Sequence, residues 1–131
     1  MIVIDSSALI AVLRREPEAD GFLKIIAAAR GCLLSAVSLL ETSMVLAGRT
    51  GDTSAWTGLD ALIARAGMLV VPHDAELAAE ARTAFLRYGK GRHAAALNLG
   101  DCASYALAKS RGLRLLFKGS DFPATDVDGA V

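Results

Sequence analysis

The chain has 131 residues, of which 53% are hydrophobic and 21% charged, with only three prolines; this length gives room for one domain, and the composition excludes a disordered or collagen-like chain. Fourteen Lys and Arg balance fourteen Asp and Glu, so no net field draws the protein to nucleic acid or anionic membrane, and a polyanionic partner has to be held by a local patch. Cys32 and Cys102 stand far apart in apolar surroundings without a metal-ligand spacing such as CxxC, which fits a reducing, cytoplasmic setting.

The first residues, Met1-Ile2-Val3-Ile4-Asp5, lack the basic start and long apolar run of a secretory signal. The most apolar stretch, Gly31 to Gly48, carries Glu41 in its middle with Ser35, Ser38, Thr42 and Ser43 around it. It therefore reads as a buried strand and helix and not as a membrane span. A mean hydropathy of +0.43 is high for a soluble monomer, and predicts a homodimer that covers part of the apolar surface.

Met1 to Ile4 is a continuous apolar run, the pattern of a short strand buried on both faces of a parallel sheet. Asp5-Ser6-Ser7 offers capping oxygens before Ala8-Leu9-Ile10-Ala11-Val12-Leu13, which predicts a turn from strand into helix. Pro17 is placed to open a second helix, with Phe22, Ile25, Ile26 and Ala29 at helical spacing until Gly31. A short apolar segment, Cys32-Leu33-Leu34, precedes a helix from Ala36 to Ala47 that is apolar around most of its circumference and sets Glu41 beside Val37, Leu40, Met44 and Val45. Thr53 or Ser54 caps a helix carrying Trp56, Leu59, Leu62 and Ile63, closed near Gly67. Met68-Leu69-Val70-Val71 reads as another buried strand, and Asp74 caps a helix through Tyr88. Gly89-Lys90-Gly91-Arg92-His93 is a basic, glycine-containing loop, Asn98 to Asp101 introduces a helix ending at Gly112, and Leu115-Leu116-Phe117 is the last clear strand. Strands alternating with helices predict a single α/β domain over residues 1–131, with a mainly parallel central sheet and right-handed crossovers.

In open α/β sheets the ligand crevice lies at the carboxyl ends of the strands. Asp5 follows the first strand and Asp121 the last; Asp101 begins a helix beside Gly100, and Glu41 sits in an apolar helix. Each has an ordinary alternative: Asp5 and Asp101 as helix caps, Asp121 as a turn residue, Glu41 as a buried pair with Arg49 or another base. If the four converge, their charges repel, and protons or a cation must relieve them. Hard divalent cations prefer carboxylate oxygens, so Mg²⁺, with Mn²⁺ as the alternative, suits this set better than zinc. Lys90, Arg92 and His93 are candidate contacts to the phosphates of a polyanion, although a basic loop is more often just solvated, and Lys118 could do the same or only neutralise the acids. Asp126 and Asp128 read as tail acids, with Asp126 within reach of an auxiliary role at the site.

The segments "IVIDSSALIA", "SLLETSMVLAGR", "GKGRHAAALNLGDCASYALAK" and "LLFKGSDFPATDV" resemble, in order and spacing, those of the PIN-domain ribonucleases, and most of all VapC-type toxins. The resemblance spans nearly the whole chain. It implies a PIN-like fold and metal-dependent hydrolysis of RNA phosphodiesters, with Asp5, Glu41, Asp101 and Asp121 as the catalytic acids. Asp5 and Asp101 would be the metal ligands, and Ser7 would match a small hydroxyl residue that supports them. It further implies a VapB-type antitoxin as partner. Ser120 stands where many relatives have Asn, and Ala94 where many have Pro, which bears on substrate choice and removes no acid. A phosphatase using an Asp after its first strand would need a second acid at the position of Ser7. The remaining alternative is a PIN-like module that binds RNA or protein without cutting.

Overall fold

The opening apolar run forms β1 (Ile2–Ile4), which lies in the middle of the sheet with both faces covered. The structure is a computed structural model that describes residues 1–131 apart from the side chain of Arg49. After β1 come α1 (Ser6–Leu13), α2 (Ala19–Ala28), β2 (Cys32–Ser35), α3 (Ala36–Ala47), α4 (Ser54–Arg65), β3 (Leu69–Val71), α5 (Ala75–Tyr88), α6 (Leu99–Arg111) and β4 (Arg114–Leu116). Single 3₁₀ turns follow α3 at Gly48–Thr50 and β4 at Phe122–Ala124. Among the described residues the strands run in the order β3-β2-β1-β4, all parallel, with Ile4 opposite both Leu34 and Leu116.

Alternation along these strands divides the core in two. Ile2, Ile4, Cys32, Leu34 and Leu116 face one side and pack with Leu9, Phe22, Ile26 and Leu59 of α1, α2 and α4. Val3, Leu33 and Leu115 face the other and pack with Ala81, Tyr88, Tyr105 and Leu107 of α5 and α6. Right-handed crossovers explain the division: the chain winds from β1 through β2 to β3 with its helices on one face, then returns across β1 to β4 with α5 and α6 on the other. That reversal is a topological switch point between β1 and β4, and it opens a crevice at their carboxyl ends. Helix α3 contacts α1, α4 and α6, so it bridges the two helical layers beside this crevice.

Local details depart from the sequence expectations for identifiable reasons. Pro17 lies in a turn and α2 begins at Ala19, whose N–H bonds the Glu16 carbonyl (2.9 Å). The N–H of Ser54 is capped by the Asp52 carboxylate (2.9 Å), not by Thr53. β3 is an edge strand, so Leu69 is 60% exposed where a buried strand was expected. Phe117 lies beyond β4, its ring 5.1 Å from that of Phe122.

Leu34 is fully buried between β1 and β3. Leu34→Ala is expected to cost about 3 kcal/mol by loss of transfer energy and creation of a cavity, read as a lower urea midpoint at unchanged slope.

Candidate active site

Asp5 leaves β1 at the crevice and is the N-cap of α1, yet its side chain does more than cap. It is 1% exposed, and both oxygens are occupied. Oδ2 accepts from the Ser7 N–H (3.0 Å) and Ser7 Oγ (2.6 Å), while Oδ1 accepts from Ser104 Oγ on α6 (2.6 Å). Ser104 has one hydroxyl proton and spends it on Asp5, so the 3.0 Å contact between Ser38 and Ser104 has Ser38 as donor. Ser7 Oγ in turn accepts from the Lys118 N–H (3.0 Å), fastening the exit of β4 to that of β1. A buried carboxyl with hydroxyl donors on both oxygens and an amide donor on one is held in one orientation.

Glu41 projects from α3 between the layers, and Ser6 Oγ of α1 donates to its Oε1 (2.5 Å). On its other side stands Gly100 of α6, where an added Cβ would sit 2.6 Å from the Glu41 Cδ. Glycine is therefore what lets the α6 N-terminus approach this carboxylate. A buried pair of Glu41 with Arg49 concerns a side chain outside the described residues.

Asp101 occupies the third position of α6. Its Oδ2 accepts from the Asn98 N–H (3.1 Å) while Asn98 Oδ1 accepts from the Asp101 N–H (2.9 Å), a reciprocal capping box. The cap reading of Asp101 is thus what its hydrogen bonds show. Burial pushes its carboxyl up to about 6 against the Asn98 hydrogen bond, and the charges of Asp5, Asp121 and Glu41 push in the same direction. These four acids thus share one electrostatic environment at the carboxyl end of the sheet. Asp121, at the start of the 3₁₀ turn after β4, is exposed and makes no side-chain capping bond.

Two expectations for neighbouring residues are corrected. Asp126 does not turn toward the acids: Tyr105 donates to its Oδ1 (2.5 Å), and Lys109 (3.3 Å) and Arg87 (3.6 Å) pair with its Oδ2. Lys118 neither meets the four acids nor projects freely, because its ammonium bridges Glu16 (3.2 Å) and Glu18 (3.0 Å). In the basic loop Lys90, Arg92 and His93 are exposed. Arg92 Nε donates to the Leu86 carbonyl (3.2 Å), and His93 Nδ1 accepts from the Ala95 N–H (3.0 Å) with its ring edge-on to Tyr88. Ser7 sits on Asp5 as a supporting hydroxyl. Ser6, Ser38, Ser104 and Gly100 were not singled out from the sequence; the available signal was Ser104 lying three residues after Asp101, on the same helix face.

The donor set is all oxygen and mutually repelling, which suits a hard divalent cation. Among the described residues no group of three Asp, Glu, His or Cys side chains is placed to hold a metal ion, so the acids stand near one another without forming a ready-made ligand cage.

A four-stranded parallel sheet of this order, with helices on both faces and acids at its switch point, defines a small doubly wound α/β domain, and the PIN domain model matches residues 2–128. The chain belongs to the PIN-domain family. It is 48% identical to a ribonuclease VapC of Mycolicibacterium smegmatis over 96% of this chain and 97% of that protein. Among solved structures, the Mycobacterium tuberculosis VapC20 toxin, which cleaves the sarcin-ricin loop, superposes with a TM-score of 0.78 at 20% identity over 97% of this chain and 96% of that one. The VapBC2 structure from Rickettsia felis, bound to a DNA fragment from its promoter, gives 0.72 at 16% identity over 98% and 96%. The two structural likenesses establish the fold.

Asp101 binds its proton more tightly folded than unfolded, so its contribution to stability is full below the ordinary carboxylate value of 3.8 and is lost as pH rises through about 6. Asp101→Asn keeps an acceptor for the capping box and removes the charge. In metal-free buffer it is expected to raise the melting temperature at pH 7.5 by on the order of 3 °C, a gain that vanishes toward pH 4.

Proposed function

We propose that this protein is a Mg²⁺- or Mn²⁺-dependent endoribonuclease of the VapC type, the toxin of a toxin–antitoxin pair, acting in the cytoplasm. The observation that supports this reading is the placing of Asp5, Glu41 and Asp101 around the end of β1 and the start of α6, with Ser6, Ser7 and Ser104 donating to Asp5 and Glu41 and Gly100 leaving room for the Glu41 carboxyl, a set of acids whose charge a divalent cation relieves. Near-full-length identity to the mycobacterial ribonuclease supports the choice of RNA as substrate.

Asp5 and Asp101 are the residues to hold the metal, with Glu41 and Asp121 completing the acidic wall. Bound there, the ion would acidify a water molecule and neutralise charge developing on the scissile phosphate. Asp5 presents its carboxyl in one orientation because Ser7 and Ser104 donate to its two oxygens. Ser6 restrains Glu41 in the same way. Asp101, whose carboxyl burial pushes up to about 6, would have to be deprotonated to hold the ion. Lys90, Arg92 and His93 are free to meet backbone phosphates, with Lys118 excluded by Glu16 and Glu18.

Cleavage of a mixed RNA pool is expected with Mg²⁺ or Mn²⁺ and to stop with EDTA. Asp5→Asn should lower the rate by at least about 10²-fold while the fold survives. Metal-independent cleavage, or wild-type cleavage by Asp5→Asn, would exclude this chemistry, and RNA binding without cleavage would make the chain a non-cutting module.

The partners in this reading are a VapB-type antitoxin and a second copy of the chain. A groove of about 590 Å³ between α1, α2 and α4, lined by Val12, Leu23, Ile26, Ala61 and Leu62, offers apolar contact to the antitoxin, and the acids offer a receptor for an arginine fork. Leu40 and Met44, one turn apart on α3 and 61% and 64% exposed, are apolar surface for the homodimer. No helix among the described residues is long and apolar enough to cross a membrane. Co-expression with the adjacent reading frame is expected to yield a complex that cuts RNA at least tenfold more slowly than the free protein; failure to co-purify would place the nuclease outside antitoxin control.

A further inference from the structure

Asp121 differs from the other three acids in how it is held. Asp5 and Glu41 accept from serines, and Asp101 is locked in a capping box. Asp121 is exposed, begins a turn of only three residues, and has no side-chain capping bond. Its place depends on the segment around it. Immediately after it Phe122 is buried, 2% exposed, beside Phe117. Thr125 Oγ1 closes the turn on the Phe122 carbonyl (2.7 Å) and accepts from the Val127 N–H (3.3 Å). Further on, the Asp128 carbonyl accepts from the Leu115 N–H (2.8 Å) and the Ala130 N–H donates to the Leu115 carbonyl (2.9 Å), so the end of the chain lies along β4.

Between these two anchorages stands Asp126, bound to Tyr105, Lys109 and Arg87. Tyr105 is four residues beyond Asp101 on α6, one helical turn away, so one rigid element presents Asp101 to the crevice and Tyr105 to the segment that carries Asp121. The phenol is 7% exposed, its ring packed against Tyr88 at 5.7 Å. Lys109 and Arg87 are 43% and 62% exposed and so add less than the direct hydrogen bond. Burial, then the hydrogen bond to Asp126, pushes the phenol upward; the same hydrogen bond, with Lys109 in support, holds the Asp126 carboxyl below its ordinary range. The pair is thus phenol and carboxylate throughout the neutral range.

We propose that Tyr105 and Asp126 are positioning residues, a latch that holds the 121–127 segment against α6 and thereby sets Asp121 beside Asp101. The role in metal uptake rests on the acid-site reading above; the latch itself does not. Neither residue touches substrate or metal, and the effect passes through Asp121.

Tyr105→Phe keeps the packed ring and removes the donor, and Asp126→Asn removes the charge. Native-state hydrogen exchange of the full chain in metal-free buffer is expected to show the Ala124, Thr125 and Val127 amides exchanging about tenfold faster in either variant, with β1 and β2 amides unchanged. Unchanged exchange in this segment overturns the latch, whatever happens to RNA. Calorimetric titration with Mn²⁺ alone supplies the second readout: affinity falls about tenfold in either variant, and adding Tyr105→Phe to Asp121→Asn costs nothing further. A loss that adds in full to that of Asp121→Asn overturns the route through Asp121. If the wild-type chain takes up no Mn²⁺ the acid-site reading fails, and the exchange measurement still decides the latch.

Discussion

The buried carboxylate of Asp5 is the point on which the rest of the crevice is built. A carboxyl at 1% exposure would be costly in a parallel-sheet core without donors on both oxygens. Those donors come from both sides of the sheet, Ser7 on α1 and Ser104 on α6. Hydrogen bonds to a charged acceptor are worth roughly 1.5–3 kcal/mol each, so satisfying Asp5 also pins α6 to the carboxyl end of β1. Ser7 carries the constraint on to β4 through the Lys118 N–H. The switch point that topology opens is closed to a fixed width by one aspartate.

Once α6 is held there, Gly100 and Asp101 have little freedom. Gly100 must lack a side chain because Glu41 fills the space its Cβ would occupy, and the carboxylate of Asp101, next along the helix, lies within the field of the other acids. The capping box on Asn98 fixes the Asp101 rotamer without neutralising it. The result is an arrangement less stable without a counter-charge than a core of neutral groups would be, stored at one end of a well-packed sheet. Functional sites characteristically hold such perturbed groups, and the cost is carried by two apolar clusters on either side of the sheet.

Much of this was legible in the sequence because period and punctuation are local. Short apolar runs followed by Asp or Ser marked the strand-to-helix turns at Asp5 and Asp74 correctly, and the four acids were identifiable as strand-end or apolar-helix anomalies. The hydroxyl framework was not, since Ser38, Ser104 and Asp5 are brought together only by tertiary packing across 66 and 99 residues of chain. Exposure of Leu69 was missed for a related reason: which strand lies at the edge is a property of sheet order, not of the strand's own composition. Asp126 and Lys118 illustrate the limit on charges, whose nearest partners in sequence were not those in space.

The four acids form a gradient of fixation: Asp5 is saturated by donors, Glu41 accepts one bond from Ser6 on α1 and Asp101 one from the Asn98 N–H, and Asp121 is held only through its backbone. If the crevice admits a polyanion and a cation together, as proposed above, this order favours it: the innermost acids are already oriented, which would lower the ordering cost of binding. The outermost one is left with freedom to adjust to whatever approaches from solvent. That freedom is bounded by the buried Phe122 before Asp126 and by the pairing of the chain end with β4 after it. Substitutions in the 118–127 segment should therefore alter the site through geometry, whereas substitutions at Ser7 or Ser104 act on charge. The departure at Ser120, one residue before Asp121, falls in the adjustable part of the wall, where a side chain tunes the approach of substrate without disturbing the anchored acids beneath.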